Sequence, residues 1–534
     1  EEAVVLGNAV HRVPATDPAE VFIMHMMQGL FFHRQSRPQS LAVTCPTTFT
    51  ASEVARLKRT VARAFHRATD GVAARFREES IESFVPLVID EASAAAFYFA
   101  HRDFIEGPGR TPAFRYLYPN GLQMLIYDCG GGTTDLALVR LESRGSGEVE
   151  IRVLGRAGHR SFGGDFITLQ VFRLLKAKLA AVKGAIPAFP KNPGQIEKFL
   201  EDHKTAIDAA VPTTYDRGQQ QNEAAKERYK TALSLWGLAE SLKLRLSVKG
   251  TKDVKPGVEC SRFLGQSSER MDLSEGVEAS DVFGGLAITR QEVDALVDPE
   301  IDKTIDYAND LVRGGMEALA AEWARGGGEA PLELPEVDRV YVVGNASRYP
   351  RILERIVDEE HGLQIRFLEQ RLAEVKPEDY KNSVAKGAIV AQRLRDEHAA
   401  TRVSWDAEFM LRLPFDLEIE SHGHAGERVL FRRGQRYSGE LVTWREISAD
   451  PRTGKPTTQR IRVDRRWPGE AKAEPCMLFQ FDEPISGRFV IRYDEDRVAF
   501  VMHPDRKGGA DELLAVAEPF EQSAYLAPPQ SGRI

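Results

Sequence analysis

The chain has 534 residues, long enough for roughly two to four domains that bury a sizeable core. Hydrophobic residues make up 42% and charged residues 28%, as in ordinary globular proteins, and the net charge of −8 argues against nucleic acid as the main partner. Its four widely spaced cysteines offer neither a zinc site nor a disulfide framework and favour a reducing, cytoplasmic compartment, and no apolar run approaches the roughly 18 residues of a membrane span.

The first predicted elements alternate between helix and strand. Residues Glu20 to Phe32 are apolar at helical spacing, and Leu41 to Cys45 predicts a buried strand. Ser52 to Phe65 shows the helical period again, with Ser52 as its N-cap. A second strand is predicted at Pro86 to Ile89.

An acidic pair, Asp90 and Glu91, follows this strand and precedes the small residues Ala92 to Ala96. Small residues at the start of a helix allow close packing on a sheet, and carboxylates at a helix N-terminus interact favourably with its dipole. Helix capping is therefore the simplest explanation of the pair.

The most informative stretch is MLIYDCGGGTTDLAL, from Met124 to Leu138. Two apolar runs separated by glycines predict a strand, a tight turn and another strand. Asp128 and Asp135 flank Gly130 to Gly132, whose backbone can approach an anion closely. Carboxylates that face an anion need a hard cation between them, which indicates a phosphate and Mg²⁺ site. The alternative is a glycine-rich turn with chance acidic flanks.

A second glycine turn is predicted at Gly163 and Gly164, ahead of a helix from Ile167 to Val182. We interpret His159, shortly before it, as a loop residue rather than a ligand. The polar residues Lys183 to Glu227 predict an insertion that contains a mobile helical hairpin, and Thr231 to Leu246 predicts a strong helix.

The next elements indicate another strand–turn–helix unit. Thr289 and Glu292 form a predicted capping box at a helix start. A buried strand, Arg339 to Val343, leads into Gly344 and a polar turn, the arrangement common to nucleotide-contacting units. The last helix of this half is predicted at Tyr380 to Arg395.

After about Arg402 the composition shifts to short alternating strands with turn residues between them, which predicts a β-sandwich. The predicted strands are Phe409–Leu413, Leu417–Glu420, Val429–Phe431, Glu440–Ile447, Arg460–Val463, Met477–Phe481, Arg488–Tyr493 and Val498–Met502.

Five segments, in order and at suitable spacing, resemble the Hsp70-like chaperones of the actin/Hsp70/hexokinase ATPase superfamily. They are LAVTCPTTFTASEVARLKRTV (Leu41 to Val61), VIDEASAAAFYFA (Val88 to Ala100), YDCGGGTTDLAL (Tyr127 to Leu138), YVVGNASRYP (Tyr341 to Pro350) and SVAKGAIVAQ (Ser383 to Gln392).

The resemblance implies an α/β, actin-like ATPase fold with two lobes, the first incomplete, followed by a mainly β domain. It places a remnant of lobe I at 1–125, closed by a helix at 380–398. Lobe II is expected at 126–379 with the polar insertion at 183–228, and a β-sandwich-like substrate-binding domain at 399–534. The implied cofactors are ATP or ADP and Mg²⁺, and the implied partners are unfolded peptide segments or co-chaperones.

Carried over to this sequence, the resemblance implies a role for each matching residue. Catalytic roles fall to Asp128, Glu91 and Thr133, metal binding to Asp128 and, through water, Asp135, and the switch proline is Pro46. The nucleotide-binding residues are Gly130, Gly131, Gly132, Thr133, Gly163, Gly164, Glu240, Lys243, Ser247, Gly344 and Arg348.

The sequence also departs from the family. The first phosphate loop and its catalytic lysine are expected before Leu41, but no such loop lies in the forty residues that precede it, and the chain does not begin with methionine. We therefore expect either a fragment of a longer protein or one that does not hydrolyse ATP in the family manner. Ala92, Val54 and Leu244 replace a proline, a relay arginine and an adenine-stacking arginine.

These departures leave three functions open. The first is an ATP-dependent chaperone that couples hydrolysis to peptide binding. The second is a divergent actin-fold ATPase or virulence-associated Hsp70-like protein without chaperone activity. The third is a nucleotide-binding scaffold that no longer turns over.

Overall fold

The computed structural model is a mixed α/β structure. Among the residues it describes, no helix is both long and apolar enough to cross a membrane. The described residues are 2–6, 9–13, 16–35, 38, 40–49, 51–70, 76–107, 109–144, 148–213, 222–254, 286–325, 336–395, 403–405, 415–419, 428–432, 435, 440–466, 473–494, 499–504, 515–516 and 518–519.

The strands are β1 (Glu2–Leu6), β2 (Ala9–Val13), β3 (Ala42–Cys45), β4 (Leu87–Asp90), β5 (Leu122–Cys129), β6 (Thr134–Arg144), β7 (Glu148–His159), β8 (Asp253–Val254), β9 (Ile288–Thr289), β10 (Arg339–Val343), β11 (Val403–Trp405), β12 (Asp416–Ile419), β13 (Val429–Phe431), β14 (Glu440–Ile447), β15 (Thr458–Arg466), β16 (Glu474–Ile485), β17 (Gly487–Asp494), β18 (Ala499–Pro504), β19 (Ala515–Val516) and β20 (Glu518–Pro519).

The α-helices are α1 (Thr16–Arg34), α2 (Ala51–Asp70), α3 (Ile81–Phe84), α4 (Glu91–Ala100), α5 (Arg110–Leu117), α6 (Gly164–Val182), α7 (Ile196–Asp202), α8 (Lys204–Ala210), α9 (Glu223–Leu246), α10 (Arg290–Arg325), α11 (Pro350–Ile356), α12 (Leu368–Arg371) and α13 (Asp379–Arg395). Short 3₁₀ segments lie at Glu78–Ser80, Pro193–Gln195 and Asn345–Arg348, and a π-helical turn at His101–Ile105.

The central sheet has the strand order β10-β5-β6-β7-β11. β5 and β6 form the predicted antiparallel hairpin, and β10 runs parallel to β5. Every residue of β5 is buried because both of its faces are covered. Leu125 and Tyr127 belong to a core with α6, α9 and α10, whereas Met124 and Ile126 belong to a core with α4 and α13. Burial on both faces explains the continuous apolar run in the sequence.

A separate parallel pair, β3 and β4, places Cys45 in register with Asp90. Helix α4 begins directly afterwards, and the Ser93 N–H donates to Asp90 Oδ1 at 2.8 Å. The capping role of Asp90 is therefore confirmed. Helix α13 approaches α4 so closely that a Cβ on Gly387 would overlap the Ala94 carbonyl. Small residues on α4 allow this contact, as the sequence predicts.

Several other local predictions are confirmed. The predicted strands at Leu41–Cys45, Pro86–Ile89 and Arg339–Val343 correspond to β3, β4 and β10, although in β3 only Cys45 is buried. The capping box at the start of α10 is reciprocal: Thr289 N–H donates to Glu292 Oε2 at 2.8 Å, and Glu292 N–H donates to Thr289 Oγ1 at 3.3 Å.

Two local predictions were wrong. Ser52 is not an N-cap, because α2 begins at Ala51 and Ser52 lies in its first turn. His159 is not a loop residue, because it ends β7, a strand that the sequence analysis did not predict. Its Nε2 lies 2.8 Å from Glu300 Oε2 on α10.

Helices α7 and α8 lie inside the predicted polar insertion. Ile196, Leu200 and Ile207 are buried and belong to the same core as α6. The described part of the insertion is therefore packed against the central core, and the expectation of a mobile hairpin is wrong for these residues.

Two antiparallel sheets follow, with strand orders β13-β12-β15-β16-β20 and β14-β17-β18-β19. Phe431 and Phe479 from the first sheet share one apolar cluster with Leu441 and Ile491 from the second. The alternating sequence pattern predicts this arrangement of two sheets around one core.

The start of the predicted β domain differs from the expectation. β11 lies beyond residue 399 but pairs in parallel with β7, with Val403 opposite Val149, and so belongs to the central sheet. The boundary at 399 therefore does not separate the central sheet from the later sheets. The predicted strand Phe409–Leu413 lies outside the described residues.

Candidate functional site

Two carboxylates face each other at the end of the β5–β6 hairpin. Asp128 pairs in register with Asp135, one position before the turn that Cys129 and Thr134 close. Both side chains are almost fully buried, with 5% and 1% of their surface exposed. Two buried carboxylates at one hairpin end repel each other unless something compensates their charge.

Asp135 is compensated by hydroxyl and amide donors. Its Oδ1 accepts from the N–H and from the Oγ1 of Thr47, both at 2.5 Å, and its Oδ2 accepts from Thr133 Oγ1 at 2.6 Å. Burial raises the pKa of Asp135, while the hydrogen bonds from Thr133 and Thr47 oppose that rise. The Thr133 hydroxyl is therefore a hydrogen-bond donor to Asp135, the second carboxylate of the pair.

Asp128 lacks this compensation. No hydrogen bond between described residues ends on its carboxylate, although only 5% of the residue's surface is exposed. Burial and the nearby charges of Asp135 and Glu91 raise its pKa well above the ordinary value. A buried carboxylate without a donor is costly, so this oxygen pair is suited to an external cation or donor.

Glu91 belongs to the same electrostatic group. Burial, followed by the charges of Asp135 and Asp90, raises its pKa to about 7. Asp90 caps α4 with one oxygen, while its Oδ2 is buried without a partner in the described residues. Glu91 is therefore close to the carboxylate pair and can gain or lose a proton near neutral pH.

The two predicted glycine turns are joined by backbone hydrogen bonds. Gly164 N–H donates to Gly130 O at 3.0 Å, and Asp165 N–H donates to Gly131 O at 2.7 Å. A Cβ on Gly163 would lie 2.8 Å from Gly131 O, so only glycine allows this approach.

The tip of the first turn is open. A Cβ on Gly131 or Gly132 would meet no atom within 4 Å, and their N–H groups donate to no described residue. Exposed N–H groups beside an open surface can bind an anion. Below the tip, Gly344 lies against the carboxylate of Asp128, where a Cβ would overlap Oδ1.

Helix α9 supplies the predicted basic residue. Lys243 Nζ donates to Gly164 O at 3.3 Å and forms an ion pair with Glu240 Oε2 at 2.7 Å. Glu240 also accepts a hydrogen bond from Thr168. A Cβ on Gly164 would lie 3.6 Å from the Cβ of Ala346, so the Gly344 segment reaches the same place.

Two predicted residues contribute no contact to this group. Arg348 is exposed and is the last residue of the 3₁₀ turn. Ser247 caps the C-terminus of α9, and its hydroxyl donates to Lys243 O at 2.9 Å. Conversely, the sequence analysis assigned no site role to Thr47 or Gly158. The only available signal was the position of Thr47 directly after Pro46 in the segment that resembles the chaperone family.

A divalent cation such as Mg²⁺ needs oxygen ligands from carboxylates, waters or phosphate. No cluster of three or more His, Cys, Asp or Glu side chains among the described residues could hold a metal ion directly. The unpartnered Asp128 together with a hydrogen-bonded Asp135 fits a cation that keeps several waters, which is the usual state of Mg²⁺.

A cavity of about 740 Å³ lies elsewhere, between α6, α7, α8 and α10. Phe172, Lys176 and Leu296 are among its lining residues. None of the predicted site residues lines it, so it is separate from the carboxylate pair.

No protein-family model matches the chain, and no curated protein matches its sequence.

Proposed function

We propose that this chain binds ATP and ADP with Mg²⁺ at the carboxylate pair and glycine turns, in the manner of Hsp70-like proteins with the actin-like fold. The observation that carries the proposal is the contrast at the hairpin end: Asp135 is fully hydrogen-bonded, while buried Asp128 has no donor among the described residues.

The convergence of the family-like segments supports the proposal. Thr47 contacts Asp135, Gly344 contacts Asp128, and Gly387 of the fifth segment contacts the helix that begins at Glu91. Segments that are far apart in sequence thus lie close together in space. Motifs that resembled the family only by chance would have no reason to do so.

Each residue has a distinct part in this proposal. Gly131 and Gly132 bind phosphate oxygens through their N–H groups. Asp128 would hold a bound Mg²⁺, and Asp135 would contact it through water. Bound Mg²⁺ neutralises phosphate charge and stabilises a transferring phosphoryl group. Glu91, whose pKa burial and neighbouring carboxylates raise to about 7, would accept or give a proton beside this site.

Lys243 provides a matched test. Calorimetric titration with ATP and with ADP, with and without Mg²⁺, is expected to show Mg²⁺-dependent binding. Replacing the buried Lys243 by Met should weaken binding, whereas Lys249→Met, an exposed lysine just beyond the end of α9, should not. Absence of binding by the unmodified chain at millimolar nucleotide contradicts the proposal.

The chaperone form of the proposal adds an unfolded peptide as the partner of the later sheets. Val442 and Trp444 are 51% and 52% exposed on one face of β14, an edge strand. An edge strand with exposed apolar side chains can pair with an extended peptide. Nucleotide-dependent binding of a labelled peptide, lost in Trp444→Ala, supports a chaperone; nucleotide binding without peptide binding favours the ATPase or scaffold alternative.

A further inference from the structure

We propose that Thr47 is a positioning residue for Asp135: its hydroxyl fixes the carboxylate that would contact a bound Mg²⁺ through water. The inference rests on the proposed function and adds a residue for which the sequence analysis gave no role. Thr47 is fully buried, and it contacts Asp135 through two groups, its N–H and its Oγ1, both at 2.5 Å from the same oxygen.

The chain holds Thr47 in this place from two sides. Thr47 follows Pro46 directly after β3. β3 belongs to a different sheet from β6, the strand that carries Asp135. Thr47 Oγ1 also lies 2.8 Å from the Ala157 carbonyl on β7. A Cβ on the next residue, Gly158, would lie 2.5 Å from Thr47 Oγ1, so β7 leaves room for the hydroxyl by having glycine there.

The hydroxyl has one proton and two acceptors within reach, Asp135 Oδ1 and Ala157 O. A carboxylate is the stronger acceptor, so the proton is directed to Asp135. Among the described residues, only Thr133 donates to Oδ2, and it belongs to the same turn as Asp135. Thr47 is therefore the link that fixes Asp135 relative to the β3–β4 segment.

This arrangement gives the two carboxylates different tasks. Asp135 is held in one orientation by a residue from outside its own sheet, while Asp128 accepts no hydrogen bond from a described residue. Loss of the Thr47 hydroxyl should leave the phosphate-binding turns unchanged, because the hydrogen bonds of this hydroxyl end on Asp135 and Ala157 and not on Gly131 or Gly132. The effect should therefore be confined to the Mg²⁺-dependent part of nucleotide binding.

Three variants test the inference: Thr47→Val removes the hydroxyl at nearly constant volume, Thr47→Ser keeps it, and Thr48→Val changes the buried neighbour. ATP titration calorimetry with Mg²⁺ and with EDTA measures both parts of binding, and thermal unfolding confirms that each variant is folded. We expect about tenfold weaker Mg²⁺-dependent binding for Thr47→Val, the effect of one hydrogen bond to a charged group. Binding in EDTA should not change, and Thr47→Ser and Thr48→Val should stay within about twofold of the unmodified chain.

The outcomes separate this inference from the proposed function. Unmodified protein that binds ATP equally with and without Mg²⁺ overturns both. If Mg²⁺ strengthens binding normally but Thr47→Val retains that effect, only the role of Thr47 is overturned. The same holds if Thr47→Ser is as impaired as Thr47→Val, because the methyl group and its packing would then explain the loss.

Discussion

Gly344 lies directly against Asp128. A Cβ on Gly344 would overlap both Asp128 Oδ1 and the Cys129 carbonyl, and Gly344 has a φ of +84°, which other residues rarely adopt. The absence of a side chain at the end of β10 therefore leaves room for the carboxylate at the end of β5.

Gly344→Ala should destabilise the fold because it combines an unfavourable φ with overlap against backbone. We expect the free energy of unfolding to fall by about 2–4 kcal/mol, measured by urea denaturation. Gly131→Ala is the matched control, since a Cβ there meets no atom within 4 Å. Equal stability of the two variants would show that Asp128 and Gly344 are not in contact.

Gly131→Ala should affect ligand binding instead. The added methyl group occupies the open side of the turn, where phosphate would approach the N–H groups. Nucleotide affinity should fall by about tenfold or more while the urea midpoint stays constant. An unchanged affinity, measured by calorimetry, would argue that phosphate binds elsewhere.

Asp128→Asn should shift stability and binding in opposite directions. Burial and the charges of Asp135 and Glu91 raise the pKa of Asp128, so its ionised form opposes folding. Removing the charge should raise the free energy of unfolding, and more so at higher pH, while Mg²⁺-dependent binding falls and any ATP turnover drops by orders of magnitude.

Asp135→Asn is the control for that experiment. Burial also raises the pKa of Asp135, but an amide there would lose part of the three hydrogen bonds that the carboxylate accepts, so Asp135→Asn should stabilise the fold less than Asp128→Asn. Urea unfolding of both variants at two pH values measures the contrast. If Asp135→Asn raised the free energy of unfolding as much as Asp128→Asn, the difference between the partnered and the unpartnered carboxylate would be refuted.

Asp294 provides a pH-dependent test away from the site. Burial raises its pKa to about 6, although the hydrogen bond from Tyr349, at 2.7 Å, and Arg351 act against the rise. The pKa of Asp294 is higher in the folded state than in the unfolded state. Its contribution to the free energy of unfolding is therefore favourable below about pH 4 and is lost as pH rises through 6. Asp294→Asn should therefore raise the free energy of unfolding by about 1–2 kcal/mol at pH 8 and change it little at pH 4. Thermal unfolding at the two pH values measures this difference.

The sequence predicted local features better than their surroundings. The hairpin with Asp128 and Asp135, the two glycine turns and the capping box at Thr289 follow from turn chemistry and apolar periodicity within a few residues. Thr47 could not be assigned in this way, because its role depends on an approach to Asp135 across 88 positions of sequence.

The same limit explains only part of the other differences. β7 alternates polar and apolar residues from Glu148 to Val153, and every second residue there is buried, so this half carried a strand signal that the sequence analysis missed. From Leu154 to His159 the alternation stops, and pairing with β6 sets the length of the strand. The helices of the polar insertion are buried through a few apolar residues, among them Ile196 and Ile207, which composition alone does not reveal.

The parallel pairing of β5 with β10 has a consequence for the order in which the protein is made. Gln123 N–H donates to Asp338 Oδ2 at 2.8 Å, across 215 positions of sequence. Synthesis proceeds at roughly 5–20 residues per second, so β10 emerges about ten seconds or more after β5. Until then the edge of β5 that pairs with β10 has no partner strand. Over that interval a buried, strongly apolar strand is open to pairing with other chains. The nascent chain, more than the finished protein, is therefore where aggregation of this molecule should begin.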